Sequence, residues 1–461
     1  MATGRFLTGS TMGHVVRMTA TGAFGITFVF FVDAANLLWI AQLGQPKLVA
    51  AIGFAYAIQF FSVSIGVGLM IAVTALISRR IGEGRRDLAR NQAGAGIVIA
   101  AIIQGFVALM ILSFRHDLVR MAGAEGTTAD DAARYLGLTI MSLVPMAIGL
   151  TCSGALRAEG LGAKAMYVTL ISGLILMVVD PILIIGLGWG LDGAGVGLVL
   201  FRFALAGLGL FFAAHQHQLI AMPTLSSVRE AIGPYVAVAG PAILTQMATP
   251  AGNYFLTRVM APFGDDAVAA WAVVARLTVL AFGGIFALSG AIGGIFGQNY
   301  GAGQFDRLRS IYRDALIFCL IYTLCMWAVL AILTPYIIAA FGLSGQGADV
   351  LAAFTSVGVG GFVFVGALFV SNAAFNNLGK PGRSALVNWI KDGVLSWPLA
   401  LWLSASFGAV GVIYGQAVAG VIMGTLAALW GWRYVASIKT QDLAAQDAPR
   451  PYPNPDRYRS R

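Results

Sequence analysis

Apolar runs of bilayer-spanning length recur along almost the whole chain, and no soluble fold accommodates them. A helix needs about 20 apolar residues to cross the hydrocarbon core. Runs of that kind occupy 18–43, 50–77, 92–114, 135–156, 165–187 and 193–214, and then 235–260, 268–296, 314–342, 350–376, 384–405 and 409–436. What remains cannot solvate soluble domains: 11% of residues are charged and 58% hydrophobic, with mean hydropathy +0.82, against roughly 25% charged in a soluble protein. The 58 glycines suit a membrane bundle, where small residues let helices approach closely. The expectation is an all-α integral membrane protein of twelve transmembrane helices.

A polar stretch from His215 to Glu230 separates six runs from six. This sets an N-terminal bundle over 1–218, a linker over 219–234 and a C-terminal bundle over 235–436. The polar tail 437–461, with Pro449, Pro451, Pro453 and Pro455 at alternate positions, cannot supply a packed core and is expected to be disordered. Arg5 and Arg17 precede the first run without a clean small-residue cleavage site after it, so a retained first helix is expected rather than a signal peptide.

The halves repeat one another. Leu43-Gly44 matches Phe263-Gly264 at an offset of 220, and Gly82 to Asp87 matches Gly301 to Asp306 at 219. Gly160 to Lys164 matches Gly379 to Arg383, again at 219. Units of six spans keep the same orientation, so the bundles should be related by a pseudo-two-fold axis along the membrane normal, as in transporters that work by alternating access. With the N-terminus inside, 21 of the 29 basic residues fall in cytoplasmic segments and 4 in the opposite loops. Basic residues stay on the cytoplasmic side, so both termini are expected to be cytoplasmic. The +9 net charge follows from this topology, not from a nucleic-acid-binding face.

Chemistry has few places to reside. Cys152, Cys319 and Cys325 lie in apolar runs without metal-ligand spacing, and His215 and His217 form an isolated pair, so no metal site or cofactor is expected. No phosphate-cradling lysine loop supports nucleotide hydrolysis. Nor does any catalytic constellation or selectivity-filter repeat favour an enzyme or a channel. Of the twenty acidic residues only Asp33, Asp180 and Asp392 sit well inside runs. Such carboxylates are expensive in hydrocarbon and mark function by default, the alternative being a buried partner that only holds the bundle together. Pro181 follows Asp180 and can open the helix there. Arg202 is a candidate partner of Asp180 or Asp33, or a structural residue. Asp392 neighbours Lys391, but adjacent helical residues diverge and need not pair. Trp39, Gln59, Gln246, Asn253, Tyr254, Asn376 and Asn377 are candidates to line a cavity, with packing as the plainer role for each.

The stretches AAIGFAYAIQFF, ISRRIGEGRRDLAR, GALRAEG, VVDPILIIGLG, GPAILTQ, VMAPFGDDAVAAWAVVAR and IFGQNYGAG resemble the multidrug and toxic compound extrusion (MATE) family. Their order, spacing and duplication carry the likeness from about Thr19 to Arg433. The resemblance implies a V-shaped pair of six-helix bundles in the bacterial inner membrane, exporting bulky cationic or aromatic drugs in exchange for protons or sodium. A monomer surrounded by lipid is expected, with no nucleic-acid partner.

Within that resemblance Asp180-Pro181 matches the family's fifth-helix aspartate-proline. The first-helix aspartate of many members falls on Asn36, with Asp33 three residues earlier on the same face. This departure puts in doubt any scheme needing two carboxylates in that helix. The acid that some sodium-linked members carry in the seventh helix falls near Thr249, which cannot ionise. The cation-coupling set is therefore Asp33, Asn36, Asp180 and Arg202, with protons preferred as the coupling ion and sodium the alternative. A flippase for a lipid-linked sugar stays open on Arg202, Arg258 and Arg276.

Overall fold

In a computed structural model, residues 4–446 are described, apart from the side chains of Pro46 and of 439–446. Twelve long helical segments follow one another: α1 Thr11–Ala41, α2 Pro46–Gly82, α3 Arg86–Met121, α4 Gly126–Ala158, α5 Gly162–Gly186 and α6 Gly190–Gln216. The second half holds α7 Leu225–Phe263, α8 Asp265–Gly301, α9 Phe305–Ala340, α10 Gly345–Asn377, α11 over 381–407 and α12 Ala409–Gln446. Eleven are long and apolar enough to cross a membrane. The other, α11, is broken by a π-helical turn, Ile390–Leu395, that carries Lys391 and Asp392.

Most helices outrun the apolar stretches expected from hydropathy, because the backbone stays helical through the polar interface beyond the hydrocarbon. The linker is shorter than expected. Thr224 caps α7 reciprocally with Ser227, which leaves 217–224 outside helices and absorbs 225–234 into α7. At the other end α12 continues to Gln446, ten residues past the expected 436. The expected disorder of the last residues, 447–461, concerns positions outside the described ones.

The duplication is visible in the turns. Gly44, Gly84, Gly123, Gly160 and Gly188 have φ of 67°, 75°, 101°, 87° and 69°, and Gly264, Gly303, Gly342, Gly379 and Gly408, 219 or 220 residues on, have 94°, 70°, 61°, 89° and 62°. Only glycine enters this left-handed region at little cost, so each turn of one half has its counterpart in the other.

The same axis governs how the halves meet. A Cβ on Gly82 of α2 would stand 2.1 Å from the Gln298 carbonyl of α8, and one on Gly301 of α8 would stand 2.1 Å from the Arg79 carbonyl of α2. Gln298 also donates to the Ala158 carbonyl at 2.6 Å and accepts from the Phe6 amide at 3.0 Å. The N-terminal segment thereby straps this end, which we call the Gly84 end. Towards the opposite, Gly44 end the halves part. Gly68 of α2 touches Ile243 of α7, yet Phe61, two turns away on that face, is 41% exposed. Gly283 of α8 touches Thr27 of α1, yet Leu280, one turn away, is 51% exposed. A crevice between two six-helix bundles opens at the Gly44 end.

Candidate functional site

A polar cluster sits inside the first bundle, on the crevice side. It begins where α5 and α6 cross. Gly193 and Gly197, four residues apart on one face of α6, let that helix close on α5: a Cβ on Gly193 would stand 2.8 Å from the Leu183 carbonyl carbon, and one on Gly197 2.0 Å from Oδ1 of Asp180. Gly197 is therefore the space into which the Asp180 carboxyl fits. Pro181 withholds an amide from the helix, and α5 passes into a π-helical turn, Ile182–Gly186, immediately after it.

Asp180 is 1% exposed. Nδ2 of Asn36 in α1 donates to its Oδ2 at 2.5 Å, while Oδ1 has no hydrogen-bond partner among the described residues. No cation pairs with it there. Asp33, one turn before Asn36, is exposed. It lies close enough for its charge to act on Asp180, Arg202, Tyr56 and Tyr135.

Of the two roles open to Arg202, it does not take that of an ion-pair partner, with either Asp33 or Asp180. It is 3% exposed and is held by neutral groups, donating to Gln59 Oε1 at 2.6 Å, Ser142 Oγ at 3.0 Å and the Thr139 carbonyl at 3.1 Å. Gln59 in turn donates to Thr139 Oγ1 at 2.9 Å. Gln59, a candidate to line a cavity with packing as its plainer role, takes the plainer one as part of this buried clamp. Buried charges tolerate such sites when their donors are satisfied, and the arginine serves as a fixed positive neighbour one layer behind the carboxyls. Tyr135, Thr139 and Ser142 of α4 belong to the cluster and were missed in the sequence. The only available signal was their polarity within an apolar run.

Other expected residues scatter. Trp39 packs on the apolar core beside α2 and α4, its Nε1 buried without a partner. Asn376 and Asn377 are 3% and 6% exposed and lie at the Gly84 end, Asn377 against Gly293 of α8. Their burial at that end removes both from the crevice. Gln246 is half-buried, and Asn253 and Tyr254 are exposed on α7, with the Arg258 guanidinium 5.8 Å from the Tyr254 ring. Asp392, contrary to the divergence expected of neighbours, forms an ion pair with Lys391 in the π turn and accepts from Thr249 Oγ1 at 3.3 Å. His215 stacks on Phe211. His217 has its basicity pushed down by burial and by Lys164 and Arg5. Among the described residues no cluster of three metal-ligating side chains occurs.

The arrangement can hold or release a proton on a carboxyl that has no counter-ion, next to a crevice. The chain has relatives of known name. The sequence profile of the MatE family matches residues 23–182 and 241–402. An FAD transporter of Shewanella oneidensis is 22% identical over 91% of this chain and 94% of its own length. The multidrug export protein MepA of Staphylococcus aureus is 22% identical over 83% of this chain and 85% of its own. Among solved structures, a variant of the Vibrio cholerae MATE transporter VcmN superposes with a TM-score of 0.87 at 25% identity, covering 93% of this chain and 97% of that one.

Proposed function

The chain belongs to the MatE family of multi-pass membrane transporters, and from that premise we propose that it exports bulky cationic or aromatic compounds in exchange for protons. The observation that carries the choice of ion is the Asp180 carboxyl: 1% exposed, one oxygen on Asn36, the other unpartnered, and no cation paired with it. An ionised carboxylate so placed is costly, and desolvation favours the neutral form. A proton satisfies that demand with no further ligands, whereas sodium needs several oxygen donors. Asp33 is the relay between Asp180 and the crevice. Protonation from outside would displace a cationic compound, and loss of the proton inside would restore affinity for the next one.

The multidrug exporter among the relatives supports the substrate class. A second reading has its own support: Arg258 and Arg276 are exposed on α7 and α8, and a relative of similar identity is an FAD transporter, so an anionic aromatic compound is the alternative cargo. For location we propose the inner membrane with both termini cytoplasmic, on the strength of the basic residues. Cysteine tags at Gly126 and Gly345 should then label from outside and tags at Gly84 and Gly303 should not, and the converse would reverse the orientation.

The deciding experiment is efflux from proteoliposomes under separately imposed proton and sodium gradients, run with a cationic aromatic dye and with FAD. Export of the dye on a proton gradient alone is expected. Export on sodium alone would overturn the coupling, and export of FAD but not the dye would overturn the substrate class.

A further inference from the structure

Helices α1 and α8 cross antiparallel between the halves, and their register points beyond the contacts they make here. At the packed level Gly22 of α1 faces Ala287 of α8, where a Cβ on the glycine would stand 3.0 Å from the alanine Cβ. Closer to the Gly44 end Gly283 faces Thr27, with Oγ1 at 3.0 Å from the equivalent point. Asp33 lies eleven residues on from Gly22, and Arg276 eleven residues back from Ala287. Eleven residues make about three helical turns at 3.6 residues each, which returns each side chain to the face its helix turns to the other. By this register Asp33 and Arg276 stand at matching levels of the two helices, beyond the last contact between them. Both are exposed, and no ion pair joins them. Between the two levels α8 is kinked at Phe282, whose φ and ψ are −111° and 16°. An arginine inside a span with no acidic partner is costly.

We propose that Arg276 is a coupling residue, whose guanidinium pairs with the ionised Asp33 when the Gly44 end of the crevice closes. This rests on the proton-coupled reading for its place in the cycle. Closure removes both groups from water and brings opposite charges into contact, so the pair holds that end shut in the empty, deprotonated transporter. A proton on Asp33 removes one charge, and a cationic compound bound at Asp33 displaces the guanidinium. Three partners, proton, cargo and Arg276, then exclude one another at a single carboxyl. The charged and titratable groups of its own bundle near enough for charge to act between them and Asp33 are Tyr56 of α2, Tyr135 of α4, Asp180 of α5 and Arg202 of α6. Arg202 makes its three hydrogen bonds to neutral acceptors and no ion pair with Asp33, which leaves Asp33 to an incoming donor. The symmetric crossing lacks the device, since the positions 220 residues away are Asn253 and Tyr56.

The test measures opening of the Gly44 end by spin labels at Leu38 and Ala272, both exposed there, in the full-length protein in lipid nanodiscs. At alkaline pH without substrate the closed distance should be populated in the parent, and Arg276→Gln should reduce that population about fivefold or more, the lower end of couplings between sites. Arg276→Lys should keep most of it, and the exchange Asp33→Arg with Arg276→Asp should restore it without its dependence on pH. An unchanged closed population in Arg276→Gln, or no recovery in the exchanged protein, would overturn the pair. Efflux under the separate gradients reads the coupling ion independently. Proton-driven efflux beside an unchanged closed population in Arg276→Gln removes the gate and spares the proton reading, and sodium-driven efflux with an intact gate does the reverse.

Discussion

Each bundle buries a carboxyl in a helix broken by a π turn, Asp180 in α5 and Asp392 in α11, and the two are treated in opposite ways. In the first, Asp180 has an amide on one oxygen and nothing on the other. In the second, Asp392 carries its own cation, Lys391, and the Thr249 hydroxyl. The places are related but the residues are not. Asp392 lies against Gly252 of α7, and 219 or 220 residues earlier Gly173 lies against Val32 of α1. The glycine has changed sides of the contact, so that in one half the α11-type helix carries the acid and in the other the α1-type helix carries the bulk. Duplication preserved the crossing while the charges within it diverged. A paired acid is electrically settled near neutral pH, but an unpaired one must choose between a proton and a heavy desolvation cost. On the proposed coupling, the first half is where the interior answers to protons.

The largest expected break in that contrast comes from Asp180→Asn. It keeps volume and hydrogen-bonding capacity, so membrane insertion should be normal. Efflux should fall to near background, and dye binding, which in the parent weakens as pH drops, should become independent of pH. Asp33→Asn should act similarly, and the double variant should be little worse than either, as for residues of one coupled unit. A variant at Asp180 that misfolds in mild detergent would make the residue a structural anchor instead.

The second half should answer the same exchange through stability. Asp392→Asn strands the Lys391 ammonium, which is 9% exposed, and breaking a buried pair costs about 3–5 kcal/mol. Thermal unfolding in detergent should register the loss. Lys391→Met with Asp392→Asn should recover most of it, and both proteins should keep proton-driven efflux. Abolished efflux in the stable double variant would move the coupling site into the second half.

The smallest effect should come from copying an acid across the axis. Asn253 is the counterpart of Asp33 at an offset of 220. Asn253→Asp should leave efflux and its pH profile within about twofold of the parent, because an isolated exposed charge couples weakly to its surroundings. A new pH-dependent transition would show that the surrounding cluster is dispensable.

Much of this was legible before any coordinates. Hydropathy is a local property, so the spans, the six-plus-six division and the turn motifs repeated between the halves could be read in order along the chain. Asp33, Asp180 and Asp392 stood out because charge is rare inside apolar runs. Even the family was readable, from the order and duplication of short motifs.

Partnership was not. Asn36 meets Asp180 across 144 positions, and Arg202 meets Gln59 across 143. Which face each side chain turns inward depends on the kinks and π turns that reset the phase of α5, α6 and α11. The adjacent Lys391 and Asp392 pair for the same reason, where the regular helix would have separated them. Span length follows from the thickness of a bilayer, which one stretch of sequence senses alone. The choice of counter-ion, or of none, arises only when helices distant in the chain pack together and one glycine, Gly197, leaves room for a carboxyl.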